Sequence, residues 1–356
     1  VNRICKGLFL DSVMLMQISR TIAELDGVED AALMIGTPSN LAILDHAGLL
    51  EESGRSATGG DLMLAVRARN RSTASIVLDK AETLLKRPEA SHTSDLNWSP
   101  RTLRSAQKLL NDANLALVSL PGDFAVREAR KALRSGMHVM LFSDNVPLSE
   151  EVSLKREASD LGLLVMGPDC GTSIIAGVPL AFANRVPLGD IGIVGASGTG
   201  IQEISTQIAQ MGHGISHAIG VGGRDLSETV GGISTITALD MLISDSATRH
   251  VVLVSKPPSQ SVAQRIIEKL SCSEKTFSVC FIGAEQPTLP DNAAFARTLK
   301  HVAELATGKN NKDTGSEPQF TIPHVAPGRK RIKGLFSGGT LAAEAQVVFL
   351  DHNIPV

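Results

Sequence analysis

The chain has 356 residues, 43% hydrophobic and 20% charged, with a formal charge of −3. That length exceeds the usual single domain and implies two or three cores, and the composition excludes disordered and fibrous classes. It offers no basic field to draw a polyanion. With no Tyr, one Trp and ten Phe it has few rings for bases to stack on, so nucleic acid is not an expected partner.

Cys5, Cys170, Cys272 and Cys280 show neither CxxC spacing nor clustering with histidine. Zinc and disulfide frameworks therefore lack support, no metal is expected, and a reducing cytoplasm fits best. No apolar run approaches the roughly 18 residues of a membrane span, and the first residues carry no signal-peptide pattern. No membrane partner is expected.

Residues 4–10 read as a strand, 11–25 as a helix capped by Asp11, and 31–35 as a second strand after an Asp-Gly turn. A Gly-rich passage at 51–60, a strand at 62–68 and a helix near 75–86 complete a small α+β domain over 1–100, with its exit linker at 88–100. From 115 the pattern changes to short apolar runs (115–120, 138–142, 163–166) alternating with helical periods (126–135, 149–161). Continuous apolar runs suit strands buried on both faces, and helices supply the crossovers, so 101–188 reads as a Rossmann-like domain. The alternation resumes with strands at 191–194, 215–219, 251–254 and 277–282 and helices at 201–211, 233–243 and 263–270. This defines a flavodoxin-like domain over 189–305. Residues 306–330 read as a linker, and 331–356, opening with a strand at 332–336, as the start of a further, truncated α/β unit.

The sharpest motif is Gly195-Ala196-Ser197-Gly198-Thr199-Gly200, between a strand and a helix. Small residues there let backbone amides close on an anion, the helix dipole adds positive charge, and Ser197 and Thr199 add hydroxyls; phosphate is the expected guest. No Lys follows, so it is not a Walker motif. A second turn, Gly167-Pro168-Asp169-Cys170-Gly171-Thr172, also ends a strand, and ligands of doubly wound sheets bind at that edge. Gly222-Gly223-Arg224-Asp225 offers a guanidinium that could clamp a carboxylate or phosphate, and Lys256 stands at another strand end before two prolines. Against these stand bland readings: a packing turn, a buried thiol at Cys170, a solvated loop with a local Asp cap, a surface lysine. His213 and His217 have metal-like spacing but span a helix-to-strand turn, not one helix face.

Taken together, 167–172, 191–200, 220–227 and 231–242 resemble the α-subunit of succinyl-CoA synthetase and the wider ADP-forming acyl-CoA synthetase superfamily, over about 115–282. Adding 6–7, 11–13, 34–38, 142–146, 255–258 and 338–344, nearly the whole chain resembles the FdrA family. The resemblance implies that Ser197, Gly198 and Thr199 belong to the turn that holds a phosphohistidine's phosphate, with Gly195 replacing a serine. It also implies that Gly167, Pro168 and Cys170 keep a second conserved-type turn in which Asp169 replaces asparagine.

Three departures stand against simple carry-over. The loop that carries the phosphorylated His in the synthetase reads Gly283-Ala284-Glu285-Gln286-Pro287, the Glu that orients that His corresponds to Lys256, and the CoA-gripping turn has no counterpart, which counts against CoA. The expected protein is thus an acyl-phosphate-handling enzyme on this scaffold, with phosphate or an acyl or carbamoyl phosphate as ligand and a small carboxylate as co-substrate. The alternatives are a subunit of an oxamate carbamoyltransferase or a non-catalytic anion-binding assembly protein. Gly195, Ser197, Gly198 and Thr199, with Cys170, Gly171 and Thr172, are expected to hold phosphate; Lys256, Arg224 and Asp225 are the expected catalytic groups. Other subunits or a homo-oligomer are the expected partners.

Overall fold

The computed structural model describes residues 1–8, 10, 12–86, 100, 102–309 and 332–354. Asp11 and most of both expected linkers lie outside the described residues. The chain forms two compact units, Val1–Thr102 and Leu103–Val356.

In the first unit, β1 (Asn2–Lys6), α1 (Ser12–Ala23), β2 (Val28–Ile35), α2 (Pro38–His46), β3 (Asp61–Ala68) and α3 (Arg71–Lys86) build a three-stranded sheet of order β1-β3-β2, antiparallel throughout. The pleat sends alternate residues of each strand to opposite faces. Cys5, Leu62 and Leu64 face the α1 and α3 side, whereas Ile4, Met63 and Ala65 face α2. Both faces are therefore covered.

The second unit opens with α4 (Leu103–Leu109), β4 (Leu115–Val118), α5 (Gly122–Arg134), β5 (His138–Leu141), α6 (Leu148–Asp160) and β6 (Val165–Met166). Its first sheet is parallel, in the order β4-β5-β6. There follow β7 (Thr172–Ile175), β8 (Val178–Ala181), β9 (Leu188–Gly195), α7 (Gly198–Gln210), β10 (Ile215–Gly220), α8 (Ile233–Ser244), β11 (His250–Ser255), α9 (Gln260–Ser271), β12 (Thr276–Phe281), β13 (Ala293–Phe295), α10 (Leu299–Thr307) and α11 (Gly339–Asp351). The second sheet has seven strands in the order β13-β12-β11-β9-β10-β7-β8.

Strands β9 to β13 are mutually parallel, and the order β10-β9-β11-β12-β13 is the flavodoxin-like arrangement expected from the sequence. The apolar runs divide by the two-residue period: Val251 and Leu253 of β11 pack with Leu239, Leu242, Val262 and Ile266, while Val252 and Val254 pack with Ile201, Ile204, Val302 and Ala303. One continuous run thus serves two helix layers.

Two features differ from the sequence reading. The sheet is mixed, because a hairpin, β7–β8, joins β10 antiparallel. Its two-residue loop, Ala176-Gly177, has positive φ at both positions (49° and 76°), the hairpin geometry that matches strand twist. Residues 332–336 form no strand, for that run has no sheet neighbour, and α11 packs on α7 as part of the second unit.

α6 is tied to the loop after β10 by buried charges. Lys155, with a side-chain exposure of 0%, donates to Asp225 Oδ1 at 2.6 Å and to Val221 O at 2.9 Å and pairs with Glu151 at 2.9 Å. The Glu151 carboxylate also takes Arg224 at 2.8 Å. Two cations and two anions balance, and deleting one leaves an uncompensated buried charge. Lys155→Met is expected to lower the unfolding free energy by about 3–5 kcal/mol in urea titration, and a loss below about 1 kcal/mol would contradict this packing.

Candidate functional site

β9 is the strand from which the chain crosses first to β10 on one side and then to β11 on the other. Ligands of open α/β sheets bind at such a switch, beyond the strands' carboxyl ends. The turns leaving β9 and β11 contain Ser197, Gly198, Thr199 and Lys256, and the first of them is tied to β11 itself, Ala196 N–H donating to Val254 O at 3.0 Å.

Gly195 ends β9. A Cβ there would stand 2.6 Å from Ile201 Cγ1, so this glycine is required for α7 to fold back on its own strand. Among the residues expected to hold phosphate, Gly195 thus has a packing role of its own. Ser197 is the N-cap of α7, accepting from Gly200 N–H at 2.9 Å through Oγ. The cap satisfies one of the first-turn amides and leaves those of Gly198 and Thr199 without a partner inside the helix. Gly198 is exposed, and a Cβ there would meet Thr172 Oγ1 at 3.2 Å. That hydroxyl accepts from Gln202 Nε2 at 3.0 Å. The two turns singled out in the sequence therefore meet at Gly198 and Thr172.

The sequence reading missed the element that faces them. Thr340, in the first turn of α11, shares a 2.5 Å hydrogen bond between its Oγ1 and Ser197 Oγ. Its N-cap Gly338 lies so close to Thr199 that a Cβ would approach the threonine side chain to 2.5 Å. Lys256 Nζ stands 3.7 Å from where a Cβ of Gly339 would be, and among the described residues its ammonium makes no ion pair. Two helix N-termini and one exposed cation thus converge at the switch point, an electropositive cradle of two dipoles and a charge.

α11 is held there at two further points. Glu344 Oε1 accepts the first-turn amide of α10, Leu299 N–H, at 2.6 Å, and Arg297 grips Asp351 through two nitrogens at 2.6 and 3.2 Å. Burial raises the Glu344 carboxyl above its ordinary range, partly offset by the Leu299 amide and reinforced by Glu203.

The remaining expected residues stand elsewhere or are occupied. Asp225 is fully buried, accepting from Lys155, from the amides of Ser234 and Thr235 and from Thr235 Oγ1. It caps α8 and cannot serve as a catalytic orienting group. Arg224 is engaged by Glu151 and by Val146 O at 2.8 Å, and Asp169, whose carboxyl is raised by burial and Asp144, feels its charge. It is not a free anion clamp. Cys170 is buried, with Sγ 3.4 Å from Gly220 O, and burial pushes its thiol up, so it packs and does not ligate phosphate. Gly171 O accepts from Phe182 N–H at 2.8 Å. His217 Nδ1 accepts from Ala176 N–H, and no metal-competent cluster with His213 exists among the described residues. The loop 283–287 carries no histidine and lies against α11 at Val347.

Residues 188–283 match the CoA binding domain family model, and residues 1–99 match that of the AllF heavy metal-associated domain. The succinate–CoA ligase [ADP-forming] subunit alpha 2 of Archaeoglobus fulgidus is 26% identical over 45% of this chain and 56% of its own. The ADP-forming sulfoacetate-CoA ligase subunit SauD of Bilophila wadsworthia is 25% identical over 55% of this chain and 66% of its own. The chain spans little more than half the length of the succinate–CoA ligase subunit. Among solved structures, ATP citrate lyase from Methanothrix soehngenii, in complex with citrate and coenzyme A, aligns with a TM-score of 0.49 at 15% identity, over 70% of this chain and 45% of that one.

The scaffold is thus related to that of the ADP-forming acyl-CoA synthetases and the α-subunits of succinyl-CoA ligases. Within that class the chain belongs to the family of the uncharacterized protein YahF of Escherichia coli K12, to which it is 41% identical over 97% of its own length and 68% of that protein's.

The groups these models imply can be tested on the donors present. A heavy-metal site asks for at least two soft ligands on one ion. Residues 1–99 contain one thiol, Cys5, on the α1 and α3 side of the sheet, whereas His46 belongs to α2 on the other side. Cys5 and His46 therefore do not share one ion, and among the described residues no group of three His, Cys, Asp or Glu side chains stands together. For CoA, the matched residues 188–283 include the Ser197-capped first turn of α7, whose amides and hydroxyls are of the kind that hold a phosphate.

Two measurements check these assignments. Glu344→Gln keeps the acceptor for Leu299 and removes a buried charge whose stabilising protonation is lost as pH rises, so its thermal stability at pH 8 should match or exceed the parent's. Glu344→Ala should fall by about 1 kcal/mol, the cost of a lost cap. Titration with Zn(II) or Cu(I) under a competing chelator should show no one-to-one uptake that Cys5→Ser abolishes.

Proposed function

We propose that the chain binds the phosphoryl group of a small acyl phosphate between the N-termini of α7 and α11, and that its scaffold serves acyl transfer without a phosphoenzyme. The observation that carries this is the convergence of Gly198, Thr199 and Thr340 with the unpaired Lys256 at the switch point. In the reaction an acceptor atom forms a bond to the acyl carbon, the bond from that carbon to the phosphate oxygen breaks, and the acceptor's proton leaves with the phosphate or to solvent. Negative charge grows on the departing phosphate. Amides of Gly198 and Thr199 and the Lys256 ammonium are placed to stabilise it there, where fixed dipoles act without reorganising.

A phosphohistidine relay needs an imidazole beside the cradle and a carboxylate to orient it. The loop 283–287 supplies no imidazole, and position 256 bears a cation. These two facts favour direct transfer over ATP-driven acyl-CoA formation. Carbamoyl phosphate with oxamate, the pair implied by the FdrA resemblance, is the specific instance this reading favours, working with other subunits. CoA takes no step in it.

The test is a thermal-shift titration with inorganic phosphate, acetyl phosphate, carbamoyl phosphate and CoA, since a ligand that prefers the folded state raises its stability. Both acyl phosphates should stabilise the parent, and Lys256→Ala should weaken their binding about tenfold, as expected for losing one charge-assisted contact of about 1.4 kcal/mol. Stabilisation by CoA alone would refute the proposal.

A further inference from the structure

Resting on that reading of the cradle, we infer that the site selects a phosphate bearing a short, uncharged acyl group, and that Phe182 is the residue that sets this choice. Phe182 follows β8 and is 45% exposed, in a chain with only ten phenylalanines and no tyrosine. It is nonetheless fixed in place. Its N–H donates to Gly171 O at 2.8 Å, its carbonyl accepts from Gln202 Nε2 at 3.0 Å, and its ring meets Phe142 edge-on at a centroid distance of 5.2 Å.

The same Gln202 amide group donates to Thr172 Oγ1 at 3.0 Å, so one side chain ties the aromatic segment to the cradle. A Cβ on Gly171 would stand 3.3 Å from the Phe182 ring and 3.8 Å from that of Phe142. The two rings therefore flank the backbone one residue before Thr172, whose hydroxyl lies against Gly198. A large ring held exposed and rigid beside an anion site is an apolar contact surface whose ordering cost is already met before a ligand arrives.

A second observation bears on the far end of the ligand. A dicarboxylic acyl group needs a cation for its second carboxylate, and Arg224, the residue the sequence offered for it, is already engaged by Glu151. A methyl or amide group against the phenylalanine ring needs no such partner. Phe182 is a specificity residue, acting on what the phosphate carries and not on the phosphate.

Calorimetric titration of the whole chain with three stable probes separates these roles: inorganic phosphate, acetylphosphonate and 3-phosphonopropionate. Acetylphosphonate is expected to bind at least fivefold more tightly than phosphate, and 3-phosphonopropionate no more tightly than phosphate. In Phe182→Ala the ratio of the phosphate and acetylphosphonate dissociation constants should collapse toward one, and Phe182→Leu, which keeps an apolar side chain and guards against a folding defect, should retain part of it. A preference for 3-phosphonopropionate, or an acetylphosphonate preference that survives Phe182→Ala, overturns the inference while leaving the cradle standing. Failure of all three probes to bind overturns the cradle itself and the inference with it.

Discussion

The candidate site depends on one close approach. β9 ends in a glycine because α7 must turn straight back onto its own strand, and Ile201 occupies the volume a side chain would need. That packing aims the first turn of α7 at the point where the strand order reverses, and brings it against the strand that leads to Lys256. A larger residue at 195 would tilt the helix away, and the amides of Gly198 and Thr199 would lose their common direction. The glycine's contribution to any chemistry is geometric, and it is complete before a ligand is considered.

Charge is distributed with the same economy. Where α6 meets the β10 loop the molecule buries Lys155 with Glu151 and Asp225, the exposed Arg224 completes the charge balance, and Asp225 also accepts the first-turn amides of α8. Buried and paired charges of this kind fix geometry and do little else, because any change in their ionisation costs several kcal/mol. Lys256 is the opposite case: exposed, unpaired among the described residues, and next to two helix N-termini that repel it. On the proposed reading, an anion between the two helices is its partner.

Much of this was legible in the sequence, for identifiable reasons. The α/β alternation and the flavodoxin-like order follow from apolar runs long enough to serve two faces, and Ser197 and Thr199 were visible because a glycine-rich turn between a strand and a helix has few purposes. Asp225 and Arg224 misled because charged residues in a glycine-rich loop at a strand end read as ligand-binding groups, and only the fold shows Lys155 and Glu151 arriving from seventy residues away. The run 332–336 misled for another reason: an Ile, a Leu and a Phe within five residues suit a strand but do not say whether a neighbour exists to pair with it. The β7–β8 hairpin had a signal in Gly177 that the first position, Ala176, masked, since an Asn there would have announced the turn. Thr340 had one too, for Ser337-Gly338-Gly339-Thr340 repeats the chemistry of Ser197-Gly198-Thr199 ahead of a second helix.

The repetition bears on how such a scaffold can lose a relay and keep a use. A phosphohistidine must be attractive enough to the cradle to form and loose enough to leave, so its loop needs an imidazole, an orienting carboxylate and freedom to move. Here the loop 283–287 rests against Val347 of α11, which is itself anchored by Glu344 and Asp351. On the proposed reading, a cradle closed by its own chain suits an anion that diffuses in and out, and Lys256, where the related synthetases are expected to carry a carboxylate, adds positive charge beside it. The replacement of an acid by a base and the docking of a second helix N-terminus act in the same direction, which is why the two changes are more simply read as one site than as two separate losses.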